Sequence, residues 1–209
     1  MAAASEARLV LASASPRRHA LLEQIGLAPN LVVVADVDET ALAGETPPQI
    51  ARRLARAKAE SVARTHADDF VLAADTIVAR GRRALPKPAD AAQARRCLKA
   101  LSGRRHRVHT AIALSAPDGC QGARLVTTVV EFKRFTKAEI EGYLASEEWR
   151  GKAGGYAIQG RAAALVKRIS GSYSNVVGLP LHETVNLLGG LGFPVDRRWQ
   201  AIWADGGLE

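Results

Sequence analysis

Between an apolar run at Leu9–Ala14 and a helical pattern, the chain places Ser13, Ser15, Arg17 and Arg18. Backbone N–H groups at a helix N-terminus attract anions, and two hydroxyls with two guanidiniums strengthen that field. The group reads as a phosphate cradle, although a capped helix with a solvated arginine pair fits the same residues. Neither a P-loop signature nor a GxGxxG run is present, which excludes those two phosphate-binding solutions.

A second group is acidic. Asp36, Asp38 and Glu39 follow one β-rich run, and Asp75 follows the run Val71-Leu72-Ala73-Ala74. A carboxylate where a buried strand emerges stands at the usual place for a site in an open α/β sheet. Carboxylates converging from two strands suit Mg²⁺, which takes one or two of them together with substrate phosphates. Strand-end caps and solvated loop acids are the plainer reading. Lys58, Lys87 and Lys152 supply dispersed cations of the kind a triphosphate needs as charge builds on a leaving pyrophosphate. His19, His66, His106, His109 and His182 show no ligand spacing, and His106 and His109 fall on opposite faces of an expected strand. No Ser–His–Asp arrangement is readable, so acyl transfer has no support.

Short apolar runs alternating with helical patterns predict an α/β architecture that holds these groups. Leu9–Ala14 reads as a buried strand, followed by a helix with Ser15 as N-cap, Pro16 as first residue and Gly26 beyond its end. Leu31–Val37 reads as a second strand and Gln49 to about Thr65 as a long basic amphipathic helix. Phe70–Ala74 reads as a strand ending at Asp75-Thr76, with Ile77–Ala79 as a continuation and Gly81-Arg82-Arg83 as a turn. A helix over Asp90–Leu101 is stopped by Ser102-Gly103. Val108–Leu114 and Leu125–Phe132 read as neighbouring strands around Pro117-Asp118-Gly119. Thr136 and Glu139 form a capping box for a helix to about Ser146. A glycine-rich passage, a strand at Ala163–Ile169 and a helix at Leu181–Leu191 complete the pattern.

The 209 residues are 47% hydrophobic and 24% charged, which excludes intrinsic disorder. The net charge of +8 suits anionic partners without naming one. A nucleic-acid-binding protein is one reading of that charge. Against it, the cations are dispersed and aromatic residues are only 5%, too few for a base-stacking platform. Cys97 and Cys120 have no metal or disulfide spacing and read as reduced thiols. The first 14 residues lack the basic segment and apolar length of a secretion signal, and no stretch reaches about 20 apolar residues. The expectation is a cytoplasmic protein with no membrane partner.

Taken in order, the motifs resemble the Maf family of nucleoside triphosphate pyrophosphatases, from Leu9 to about Phe193. The matching segments are Leu11–Arg18, Asp38-Glu39, Arg53-Leu54-Ala55 with Lys58, Ala73–Thr76, Lys87-Pro88, Leu101-Ser102-Gly103 and His109-Thr110. Lys152–Gly160 and Val177–Leu181 complete the series. The Lys-Ala-Gly, Tyr and Ile-Gln-Gly form of the glycine-rich passage is similar to the branch acting on dTTP and UTP. The resemblance implies one domain over residues 1–209, an α/β fold with a curved mixed sheet, flanking helices and two lobes around a central cleft, as in inosine triphosphatases. A short tail from about 195, with Trp199 and Trp203, lies outside the pattern and is expected to pack locally. The resemblance further implies hydrolysis to a nucleoside monophosphate and pyrophosphate, with Mg²⁺ or Mn²⁺. By that resemblance Asp75 takes the proton of the attacking water, Glu39 and Asp75 meet the metal, and Lys58 and Lys87 meet the phosphates. Ser13 and Ser15 fall at the phosphate end, and Arg17, Thr76 and Gln159 match the family's specificity positions. A homodimer is compatible with the resemblance. A septum-formation inhibitor working through a protein partner, a role attached to the family, is the alternative.

Overall fold

In the structure, a computed structural model, the backbone of residues 7–204 and the side chains through residue 200 are described. The N-terminal segment Met1–Glu6 and the side chain of Trp203 lie outside the described residues. Seven strands form one mixed sheet: β1 (Leu9–Ala12), β2 (Leu31–Val33), β3 (Phe70–Arg80), β4 (Arg83–Leu85), β5 (Arg105–Ser115), β6 (Gln121–Phe132) and β7 (Val166–Ser170). Their order is β2-β1-β3-β5-β6-β7, with β4 beside β3. The β2–β1 and β1–β3 pairs are parallel and the remaining pairs antiparallel. Helices α1 (Pro16–Gln24), α2 (Pro47–Ala63), α3 (Ala91–Leu101), α4 (Lys137–Ala145), α5 (Tyr173–Val177), α6 (Leu181–Gly190) and α7 (Val195–Ala204) flank it. The α/β class and the mixed sheet with flanking helices match the reading of the sequence.

The period of two along each strand divides the core. Leu9, Leu11, Leu72, Ile112 and Leu114 face one side with Leu22, Leu98, Tyr143 and Leu188. Val10, Ala12, Val71, Ala73, Ala111 and Ala113 face the other, against Ala51, Ala55, Ala59 and Val62 of α2. Small residues on both surfaces let α2 lie close to the sheet, so a side chain from α2 reaches β3 directly. His106 and His109 obey the same parity. His106 meets Tyr156 (2.8 Å), while His109 meets Thr127 (2.9 Å).

Three expectations need correction. Asp75 does not stand at a strand end: β3 runs unbroken for 11 residues, and Asp75 pairs with Ala111 in its middle. The polar pair Asp75-Thr76 interrupts the apolar run without interrupting the ladder, because β5 pairs with β3 from Val71 to Ala79. The second strand stops at Val33, and Val34–Val37 run on as loop. The last strand begins at Val166, because Arg161–Leu165 wind into a 3₁₀ turn. In the C-terminal segment, α7 brings Trp199 against the core, where its Nε1–H donates to Ile25 O at 2.7 Å. Both cysteines are free, Cys97 buried and Cys120 exposed. No helix among the described residues is long and apolar enough to cross a membrane.

Candidate active site

One edge of β3 is occupied twice along its length. β1 pairs with it only as far as Ala73, and β4 joins the same edge at Val78. Residues 74–77 therefore sit in a gap in the sheet, beside the C-terminal end of β1. Here the side chains of Asp75 and Thr76 leave the sheet on opposite faces, Asp75 toward α2 and Thr76 toward α1. A cleft of about 470 Å³ opens at this gap. Its walls are the β1–α1 turn, the middle of β3, the loop after β2, the Lys87 segment, the 150–159 loop and Gly178.

On the α2 side, four charged groups alternate in sign. The Lys58 ammonium donates to Asp75 Oδ1 at 2.7 Å and to Glu39 Oε1 at 2.6 Å. Lys87 donates to the second oxygen of Glu39 at 2.9 Å. Asp75 and Lys58 are buried, at 4% and 8% exposure, and each charge is compensated there by the other, Lys58 by Glu39 as well. Partial burial by itself raises the Glu39 carboxyl, but the two lysine hydrogen bonds outweigh it and hold the group at about 2. Glu39 is thus a carboxylate throughout the neutral range.

The opposite wall is cationic. Arg18 forks across three segments: Nε donates to Gly178 O (2.8 Å), Nη1 to Ser13 Oγ (3.0 Å) and Nη2 to Thr76 Oγ1 (3.2 Å). Ser13 Oγ also accepts from Ser15 N at 3.2 Å, which folds the turn ahead of α1. Ser15 is the N-cap, yet its hydroxyl makes no cap bond, so that hydroxyl and the helix N-terminus remain open to an anion. Burial lowers the Arg17 guanidinium and the Lys152 ammonium, and Arg17 presses Lys152 further down. Two like charges whose repulsion and burial outweigh the pull of Glu148 on Lys152 are relieved by a bound anion. Counting every described lining residue, the cleft holds six cations (Arg17, Arg18, Lys58, Lys87, Arg150, Lys152) against Glu39 and Asp75.

The nine site positions implied by the resemblance (Ser13, Ser15, Arg17, Glu39, Lys58, Asp75, Thr76, Lys87 and Gln159) line this one cleft, and so do Arg18 and Lys152. Asp36 and Asp38 do not. Asp38 Oδ1 accepts from Thr40 N at 2.8 Å in a local turn, so the acidic loop contributes only Glu39. Sequence reasoning did not anticipate the bridging place of Lys58 or the fork of Arg18. The only available signal was the Arg17-Arg18 pair at a helix start, which does not say which member turns inward. Among the described residues no cluster of three or more His, Cys, Asp or Glu side chains is poised for a metal. The donor set nonetheless suits Mg²⁺ or Mn²⁺. Two carboxylates already converge on one cation, the Lys58 ammonium, and a hard divalent ion completes such a pair with phosphate oxygens and water.

A family model described as Maf-like protein matches residues 8–191. A dTTP/UTP pyrophosphatase of Paramagnetospirillum magneticum is 64% identical over 185 residues, covering 88% of this chain and 97% of that protein. One from Rhodospirillum rubrum is 60% identical, covering 90% of each chain, and one from a Chelativorans species is 56% identical, covering 93% and 96%. Among solved structures, the Staphylococcus aureus Ham1 protein aligns over 60% of this chain and 71% of its own, with 21% identity and a TM-score of 0.43. With a model match over most of its length and relatives at these identities, the chain belongs to the Maf family.

Proposed function

We propose that the chain is a nucleoside triphosphate pyrophosphatase that hydrolyses dTTP and UTP between the α and β phosphates. The observation that carries this reading is the cleft itself, where a carboxylate–lysine chain faces a cation-rich wall across one space. The names of the relatives, each a dTTP/UTP pyrophosphatase, support the substrate class. Arg17, Lys152, Ser13, Ser15 and the N-terminus of α1 receive the triphosphate. Asp75 accepts a proton from water as its oxygen attacks phosphorus; the bond from that phosphorus to the bridging oxygen breaks, and pyrophosphate leaves with the electron pair. Lys58 keeps Asp75 and Glu39 aligned, and Lys87 meets the charge that grows on the leaving group. Glu39 and Asp75 would hold Mg²⁺ or Mn²⁺, which when bound supplies charge neutralisation for the triphosphate. The free thiols, one of them exposed, suit a reducing compartment, and we read the enzyme as cytoplasmic.

Gln159 stands exposed at the rim of the same cleft. Uracil and thymine offer acceptor, donor and acceptor along O2, N3–H and O4. A glutamine amide donates to a carbonyl and accepts from N3–H at once, whereas guanine presents two adjacent donors that suit a carboxylate. In a panel of triphosphates, dTTP and UTP should exceed the purine nucleotides in kcat/KM by roughly 5- to 150-fold, the effect of one mismatched hydrogen-bonding group. Gln159→Glu should narrow that gap sharply. Faster turnover of GTP than of UTP by the wild type would overturn the base assignment.

A further inference from the structure

The segment that presents Gln159 is a tight turn, with Gly160 N donating to Ala157 O at 3.0 Å. It is fastened on one side to the end of α4 and on the other to the turn that follows that helix. Ahead of Gln159, Ala157 N donates to the buried Tyr143 hydroxyl at 2.9 Å. After it, Arg161 N donates to Glu148 Oε2 at 2.8 Å, and Arg161 Nε stands 3.7 Å from Glu148 Oε1. Ile158 is buried at 3% exposure, so of the two residues inside the turn only Gln159 projects outward. The fit around Glu148 is close. A Cβ on Gly160 would run into Glu148 Oε2 and lie 2.8 Å from its carboxyl carbon. Moving the carboxylate aside would surrender its bond to Arg161, so the glycine and the glutamate depend on one another. Glu148 also acts through space on Lys152, raising it against burial and Arg17.

We infer that Glu148 is a positioning residue for base selection, holding the Gln159 turn in the register in which its amide meets the pyrimidine edge. The inference rests on the proposed role of Gln159 in base recognition. Glu148 is not itself a lining residue of the cleft, and its carboxylate acts by accepting the Arg161 N–H. Contacts to the base are made equally in ground and transition states, so their loss appears in KM and leaves kcat nearly unchanged.

The test compares kcat and KM for UTP and GTP in wild type, Glu148→Ala and Glu148→Gln. Glu148→Ala should reduce the UTP-to-GTP ratio of kcat/KM by roughly tenfold, chiefly through KM for UTP, the effect of one misplaced hydrogen-bonding group. Glu148→Gln retains a carbonyl oxygen for Arg161 N–H and should keep most of the ratio; its lost charge near Lys152 affects both nucleotides alike and cancels. A general structural defect would lower both substrates together and leave the ratio intact, so an unchanged ratio in Glu148→Ala overturns the inference. A wild type without preference for UTP counts against the base-recognition reading instead. Hydrogen exchange then decides the positioning claim without substrate: residues 157–161 should exchange faster in Glu148→Ala than in wild type, and equal protection would refute it.

Discussion

At Asp75 the carboxylate has one close partner, the Lys58 ammonium, and that ammonium has two carboxylates. The arrangement keeps the acid buried and aligned while its remaining oxygen faces the cleft. Asp75→Asn is nearly isosteric and keeps an acceptor for Lys58, but it cannot take a proton from water. The expected outcome is a fall in kcat of roughly 10²- to 10⁴-fold, with circular dichroism and melting behaviour close to wild type. Retention of most activity at saturating metal would remove Asp75 from the role of base. Glu39 works differently. Its value lies below the ordinary carboxylate, so its contribution to stability is complete above that ordinary value and is lost only as pH falls toward about 2. An acid limb in the activity profile above pH 4 therefore belongs to another group.

At the scale of elements, the site exists because β1 ends before β3 does. Arg18 stitches the resulting edge, joining the β1–α1 turn, the middle of β3 and the loop after α5 through one planar fork. A lysine carries a compact head and cannot span the three acceptors. Arg18→Lys should lower stability by about 1–2 kcal/mol in denaturant titrations and raise KM for the nucleotide, since Ser13 and Thr76 lose their shared donor. An unchanged KM would show that the fork is structural alone. This junction also marks where the sequence ceases to be readable. Ser15-Pro16 and the Thr136–Glu139 box announce their helices because helix-start chemistry is local; both helices are present, the box closed in full and the first helix started by Pro16 without a Ser15 side-chain cap bond. The apolar spacing starts the second helix at Gln49, yet Pro belongs in a first helical turn, and α2 begins at Pro47 with Thr46 N bonded to Gln49 Oε1. The short α5 gave too little periodicity to see. Asp75, Glu39 and Lys58 were legible as chemical types. Their mutual contact was not, since it joins residues 17 and 19 positions apart through helix–sheet packing rather than local spacing.

For the molecule as a whole, acid sensitivity centres on β5. His106 is 2% exposed, with Nε2 bonded to the Tyr156 hydroxyl and Nδ1 without a partner. Burial lowers its imidazole from the ordinary 6.5 to about 4. The unfolded chain therefore binds the proton more readily than the folded one between those values. The stability tied to a neutral His106 is complete above about 6.5 and is lost as pH falls toward 4, an effect of about 3 kcal/mol at most. Denaturant midpoints measured from pH 7 to pH 4 should fall steeply in wild type and less in His106→Gln. Parallel curves would assign the acid lability elsewhere.

Which bond is cut tests the chemistry of the cleft most directly. Wild-type protein incubated with UTP and Mg²⁺ and followed by ³¹P NMR should give UMP and pyrophosphate as the only early products, and EDTA should stop their formation. Appearance of UDP and orthophosphate would mean attack at the terminal phosphate, and would contradict the proposed chemistry of the Asp75–Lys58–Glu39–Lys87 cleft.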